Sequence, residues 1–307
     1  MIRRRRSPLP HASAPILVGG EGRSGTTLLA LILNAHPKIA CGPELHFRGP
    51  TNLGPYVLDL LDRRRELDAD GWEALRRDPD SYPGFHFVNR CHRCGIEPET
   101  LRELVVSARR TTGGDLVGFG DRACLIDAIG EHMRRSEAAS RWGIKVMTDL
   151  RIIDRYIECW PEAVVVHLVR DGRDVAASQL RDHQGWGYAD VRTAAERWSK
   201  MLGIVDRLAT DHSIVELRYE DLVRDPEVAL RPLFTRLPVD WHDDCARHES
   251  GDHALYRHPY RHPSIETVRR PRQETSIGRW RRELTSEQVD EWMAIAGETL
   301  IRRGYDA

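Results

Sequence analysis

Ala14-Pro-Ile-Leu-Val-Gly19-Gly20-Glu-Gly-Arg23-Ser24-Gly25-Thr26-Thr27 is the stretch that decides the fold. Residues 14–19 are a short apolar run ending in glycine, the pattern of a strand buried on both faces. From Ser24 onward Thr-Thr-Leu-Leu-Ala-Leu-Ile-Leu reads as a helix to Asn34, stopping ahead of His36-Pro37. A strand, a turn with glycines at 20 and 25, and a helix opening on a hydroxyl pair make a phosphate cradle. Backbone N–H groups point into such a turn, and the positive end of the helix dipole favours an anion. Against the nucleotide-triphosphatase pattern GxxxxGK[ST], Gly20, Gly25 and Thr27 fit, but Thr26 occupies the lysine position. The loop takes its positive charge from Arg23 instead.

Outward from this turn, helical stretches and strands alternate. Residues 50–140 mix helices (Tyr56–Leu67, Glu99–Arg110, Arg122–Arg135) with loops rich in Pro, Gly and Arg. Trp142–Val146, Ala163–Val169 and Ser213–Arg218 read as strands. Asp149–Cys159, Asp174–Leu180, Val191–Leu208 and Pro226–Leu237 read as helices, and Thr285–Arg303 as an amphipathic one. Residues 240–275, rich in His, Arg and Pro, carry little periodicity and read as a long surface loop. The expected fold is α/β: a P-loop-type, mostly parallel sheet with helices on both faces. Residues 14–307 would form one domain with a helical insertion at about 50–140, behind a flexible segment 1–13.

Lys plus Arg number 46 and Asp plus Glu 47, giving a net charge of −1 over 307 residues. That balance excludes a generally basic nucleic-acid coat, so any bound anion needs a local cluster of positive charge. Only Lys38, Lys145 and Lys200 are lysines, so 43 of the 46 basic residues are arginine, as codon bias in a GC-rich genome produces. The six cysteines are scattered, which argues against a small disulfide scaffold. Cys91 and Cys94 form a CxxC with no second pair at zinc-finger spacing, leaving free thiols, a local bridge or metal ligation open. No apolar run reaches the ~18 residues a membrane span needs, and the short apolar run after the charged start at residues 3–6 reads as a first strand, so no signal peptide is expected. The expected location is the cytoplasm.

A second anion site stands at the end of Val164-Val-Val-His-Leu-Val-Arg170-Asp-Gly-Arg-Asp-Val-Ala-Ala-Ser178. Arg170 lies at the carboxyl edge of a buried strand, where ligands of open α/β sheets collect. Gly172 makes the turn, and Ser178 sits in the first turns of the next helix, so both side chains can reach one phosphate. Two anion cradles on neighbouring strand ends fit a ligand with two separated anionic groups, the shape of a 3′,5′-bisphosphorylated nucleoside.

These two segments together resemble the sulfotransferases that use 3′-phosphoadenosine 5′-phosphosulfate (PAPS), closest to the protein-tyrosine sulfotransferase branch and its bacterial relatives. The resemblance extends to Ala35-His-Pro37, Cys41-Gly-x-Glu44, Tyr219-Glu-x-Leu222, Ser276-x-x-Arg-Trp280 and Gly304-Tyr-Asp306. It implies that Arg23, Ser24, Gly25, Thr26 and Thr27 hold the 5′-phosphosulfate and that Arg170 and Ser178 hold the 3′-phosphate. It also places Tyr219 near the adenine and lets Ser276 reach the phosphosulfate. Lys145 falls at the family's lysine, where a compact donor stabilises the bridging oxygen. Glu44, 21 residues after Arg23, matches that branch's general base. His46 and His36 are the alternatives, since other branches use histidine, though His36-Pro37 also ends a helix.

Departures from the branch are the absence of a cysteine before Lys145, Arg279 where lysine is common, and no membrane anchor; they point to a soluble bacterial enzyme. The expected reaction moves a sulfuryl group from PAPS to a hydroxyl of a small molecule, sugar or peptide, leaving 3′-phosphoadenosine 5′-phosphate (PAP), without a metal. No nucleic-acid partner is expected, and a homodimer stays open. The competing readings are a small-molecule kinase on the same loop architecture, with Asp171 as its Mg²⁺ ligand, and a non-catalytic adenine-nucleotide-binding protein.

Overall fold

β1 (Ile16–Gly19) is buried along its whole length, and its alternate side chains enter different parts of the core. Leu17 joins a cluster with the helices of the insertion, whereas Ile16 and Val18 join one with the helix that follows the phosphate turn. The computed structural model describes residues 14–45, 52–181, 187–251, 253, 265–272 and 274–306. The expected flexible segment 1–13, His46, and part of the expected loop 240–275 lie outside these residues.

Four further strands flank β1: β2 (Ile39–Glu44), β3 (Arg141–Met147), β4 (Val164–Val169) and β5 (Ile214–Arg218). Their order is β2-β3-β1-β4-β5 and every pairing is parallel. The chain leaves β1 through α1 (Thr26–Asn34) toward β2, and leaves β4 through α8 (Gly172–Arg181) and α9 (Val191–Asp211) toward β5. Right-handed crossovers in opposite directions put these helices on opposite faces and open a crevice between the carboxyl ends of β1 and β4. The phosphate turn and Arg170 stand on its two sides.

Between β2 and β3 lie α2 (Leu53–Glu66), α3 (Ala69–Ala74), α4 (Tyr82–Arg93), α5 (Pro98–Thr112) and α6 (Phe119–Ser136). Periodicity locates α2, α5 and α6 but misses α3 and α4. The start of α4 carries Pro83 and Gly84, which look like breakers. Proline is tolerated in a first helical turn because its missing N–H would be unpaired there anyway. Downstream are α7 (Ile153–Cys159), α10 (Tyr219–Arg224), α11 (Pro226–Phe234) and a C-terminal helix Ser286–Arg302. Within 240–275 a 3₁₀ turn at Asp243–Ser250 buries Cys245 and His248, so this part is packed and not the surface loop expected. No helix among the described residues is long and apolar enough to cross a membrane.

β2 contains the irregularity that matters most. Its partners run Cys41↔Gly143 and then Glu44↔Lys145, so β2 spends three residues where β3 spends two. Gly42 and Pro43 form this bulge; Pro43 has no N–H to give the ladder, and a Cβ on Gly42 would sit 2.8 Å from Cys94 Sγ. With side chains alternating along a strand, an unbulged register would turn Glu44 away from Lys145.

The insertion is locked onto the sheet where α6 crosses β3. A Cβ on Gly130 would lie 2.2 Å from the ring of fully buried Trp142, which itself meets Trp160 edge-to-face at 5.8 Å. Gly→Ala in a helix interior ordinarily gains about 1 kcal/mol. Forcing a methyl into a packed core costs about 1–3 kcal/mol. At this separation the second effect wins: Gly130→Ala should lower the urea midpoint, and an unchanged or raised midpoint would show a looser contact.

Candidate active site

The phosphate turn is built from two residues with left-handed backbone, Arg23 (φ 74°) and Gly25 (φ 98°). Such backbone turns successive N–H groups into one concavity, an anion nest at the start of α1. Gly25 is required twice over: besides its φ, a Cβ would come within 2.4 Å of the Tyr219 ring. Ser24 is buried with its hydroxyl donating to the Glu21 carbonyl at 2.7 Å, which closes the turn. Glu21 is itself buried; its carboxylate pairs with Arg151 at 2.8 Å and accepts a hydrogen bond from the Tyr188 hydroxyl at 3.0 Å.

The two cradles expected from the sequence meet. Arg23 Nε donates to Ser178 Oγ at 3.1 Å, and Arg170 Nη1 donates to the Arg23 carbonyl at 3.1 Å. Gln179, beside Ser178 on α8, donates to the Gly22 carbonyl at 2.9 Å. Arg170 also lies over the Tyr219 ring at 4.4 Å and donates to the Ser276 carbonyl at 2.5 Å. The Tyr219 and Ser276 hydroxyls are hydrogen-bonded at 2.9 Å. Arg23, Arg170, Ser178, Tyr219 and Ser276 therefore line one continuous site. Arg170 Nε is buried with no hydrogen-bond partner among the described residues, a donor that an anion can use.

On the other side of the turn, Lys145 Nζ donates to Thr27 Oγ1 at 2.7 Å and lies 3.2 Å from Glu44 Oε2. Lys145 is 2% exposed. Burial lowers its pKa below the ordinary lysine value; the charge and hydrogen bond of Glu44 oppose that shift, and Arg90 and Arg93 add to it. Arg90, on α4, reaches Glu44 Oε1 at 3.4 Å. Sequence patterns do not single out Arg90, since among 43 arginines nothing marks it out before α4 is folded against β2. A cavity beside the pair is lined by Thr27, Lys145, Cys41, Met133, Glu137 and His253.

Among the remaining candidates, Cys94 lines the cavity beside Lys145, whereas His36 and Asp171 are engaged in structural contacts of their own. Both ring nitrogens of His36 are used structurally, Nδ1 accepting from the Lys38 amide at 3.0 Å and Nε2 meeting the Asp240 carbonyl at 2.8 Å. Asp171, the kinase reading's metal ligand, is held by Arg173 at 2.9 Å. Cys91 and Cys94 are buried thiols, unbridged, and burial pushes both up in pKa. Among the described residues no cluster of three or more His, Cys, Asp and Glu could hold a metal ion.

Comparison with known proteins gives the same direction. Residues 15–243 match the sulfotransferase family. The chain is 24% identical over 299 residues to protein-tyrosine sulfotransferase A of Caenorhabditis elegans, covering 95% of this chain and 67% of that protein. It is 24% identical over 301 residues to protein-tyrosine sulfotransferase 1 of Danio rerio, covering 95% of this chain and 72% of that one. In structure it is similar to the sulfotransferase domain from the curacin biosynthetic pathway (TM-score 0.63, 18% identity, 98% of this chain and 99% of the other). It is also similar to the sulfotransferase domain of the Synechococcus PCC 7002 olefin synthase (TM-score 0.61, 21% identity, 98% of each).

The Glu44–Lys145 pair makes a direct test. Glu44→Gln removes the charge that holds the Lys145 pKa up and leaves burial and the two arginines pulling it down. With three lysines in the chain, ε-¹³C-lysine NMR can follow Lys145 alone. Its titration should move to lower pH in Glu44→Gln, and an unchanged titration would separate the two side chains in solution.

Proposed function

Because the chain belongs to the sulfotransferase family, we propose that it transfers a sulfuryl group from PAPS to the hydroxyl of an acceptor, with Glu44 as general base. The observation that carries this reading is the convergence of a lysine-free phosphate turn, the Arg170–Ser178 cradle and the Glu44–Lys145 pair on adjacent strand ends. The donor set is all arginine, lysine, hydroxyl and backbone N–H, which suits a doubly anionic ligand and needs no metal bridge. Bound there, PAPS would supply an activated sulfuryl group on a phosphosulfate.

Arg23, with the backbone N–H groups from Ser24 to Thr27, would hold the 5′ end, and Arg170 with Ser178 the 3′-phosphate. Tyr219 would lie along the adenine side. Thr27 orients the Lys145 ammonium through its hydroxyl. In the transfer, Glu44 takes the acceptor's hydroxyl proton as the new O–S bond forms. Lys145 would donate to the bridging oxygen, which would keep the electron pair of the sulfur–oxygen bond given up in exchange for the new one. Ser276 would donate to the phosphosulfate from the opposite wall. The acceptor remains a hydroxyl-bearing small molecule, sugar or peptide.

Calorimetry with PAP in the presence of a chelator should show binding, and ATP should bind far more weakly, because no lysine follows Gly25. A requirement for Mg²⁺ or a preference for ATP would reverse the assignment. Arg170→Ala and Ser178→Ala should each weaken PAP binding, by about 1.5–3 kcal/mol for the charged contact. Unchanged affinity in both would remove them from the phosphate site.

Glu44→Gln keeps the shape of the side chain and removes its basicity. Turnover should fall by about 10²- to 10⁴-fold with PAP affinity nearly intact. His46→Ala run in parallel decides between the two bases: a dead His46→Ala beside an active Glu44→Gln would hand the role to the histidine.

A further inference from the structure

The segment carrying Ser276 has little to hold it by hydrophobic burial. Between Glu274 and Glu283 only Ile277 and Trp280 are apolar, and both are only partly buried. Its attachment is largely polar: Arg170 and Tyr219 hold Ser276, and two of its backbone amides meet on one further residue. Asp174, in the first turn of α8, is completely buried. Its Oδ2 accepts the Gly278 N–H at 2.9 Å and its Oδ1 accepts the Trp280 N–H at 3.0 Å. The same carboxylate lies 3.8 Å from Arg170 Nη2, the nitrogen that donates to the Ser276 carbonyl.

Two backbone amides two residues apart reach one carboxylate because Gly278 has φ 65°, a left-handed turn that glycine adopts without a side-chain penalty. The Trp280 ring is then clamped under the Arg173 guanidinium at 4.0 Å. The carboxylate does two jobs with one charge: it anchors the segment and orients the arginine of the neighbouring cradle. A buried carboxylate is costly unless fully paired, and here two amides and a guanidinium supply the pairing.

We propose that Asp174 is a positioning residue for the anion site, a clasp that fixes the Ser276 segment and the Arg170 side chain relative to each other. It touches neither ligand nor reacting atoms; it acts through Ser276 and Arg170. This inference rests on the reading of those two residues as cofactor-holding.

The test combines Asp174→Asn with amide hydrogen exchange. Asparagine offers one acceptor oxygen where two amides need one each, presents an N–H₂ to the other amide, and drops the charge beside Arg170. In the wild-type protein the Gly278 and Trp280 amides should exchange slowly despite their position in a short, partly exposed segment. Rapid exchange there, at the rate of unprotected chain, would overturn the clasp without any variant. In Asp174→Asn those two amides should lose protection while the amides of β1 and β4 keep theirs. PAP affinity should fall by about ten- to a hundredfold, because Ser276 and Arg170 are both released from their positions around the anion.

A folded Asp174→Asn chain with wild-type PAP affinity would refute the positioning role. Failure of the wild-type protein to bind PAP would instead strike the cofactor reading, and slow exchange at Gly278 and Trp280 would still locate the clasp. If Asp174→Asn does not fold, the wild-type exchange rates decide.

Discussion

A lysine ammonium with 2% exposure inside a parallel sheet is the constraint around which this protein is arranged. Taking such a charge out of water costs several kcal/mol unless partners replace the solvent. Lys145 has the Thr27 hydroxyl and the Glu44 carboxylate as partners, and each one fixes a different part of the chain. Thr27 can serve only if the phosphate turn delivers α1 at the right height. Glu44 can serve only if β2 gains one residue on β3 through Gly42 and Pro43. Glu44 in turn draws Arg90 and with it α4, so the helical insertion is tied electrostatically to the strand end as well as packed on the sheet.

The arginine side of the turn follows the same logic of local charge. In a chain with net charge −1 the positive charge at this crevice is local. It comes from Arg23 and Arg170 beyond adjacent strand ends, linked through Ser178 and the Arg23 carbonyl. Like charges kept close are tolerated because each guanidinium has directed hydrogen bonds and because Asp174 and the Tyr219 ring face Arg170.

The start of α8 is the second hub. Asp171 binds Arg173, and its own N–H is accepted by Glu220 at 2.9 Å; Tyr305 donates to the other oxygen of Glu220 at 3.0 Å. Arg173 also donates to the Asp306 carbonyl at 2.7 Å. The C-terminal segment and the Ser276 segment are thus both fastened to one strand-to-helix turn. Apolar burial builds the layers, and polar contacts at this turn place the late segments against them.

The sequence by itself determined the alternation of strands and helices, the phosphate turn and the arginine-ended strand, because these signals are local: a buried run, a glycine spacing, a helix start. The sulfotransferase family too was legible in the paired motifs. β2 was not, since Gly42 and Pro43 disguise a strand whose purpose is its bulge, and α4 was not, since Pro83 and Gly84 disguise its start. Glu44 was reached through resemblance alone, and its pairing with Lys145 depends on register between strands separated by about a hundred residues. Arg90 and Asp174 acquire roles only when α4 packs on β2 and when the Ser276 segment folds back on α8. Hydrogen bonds and ion pairs have reaches of about 3–4 Å. Only the tertiary structure decides which of many arginines and carboxylates come that close.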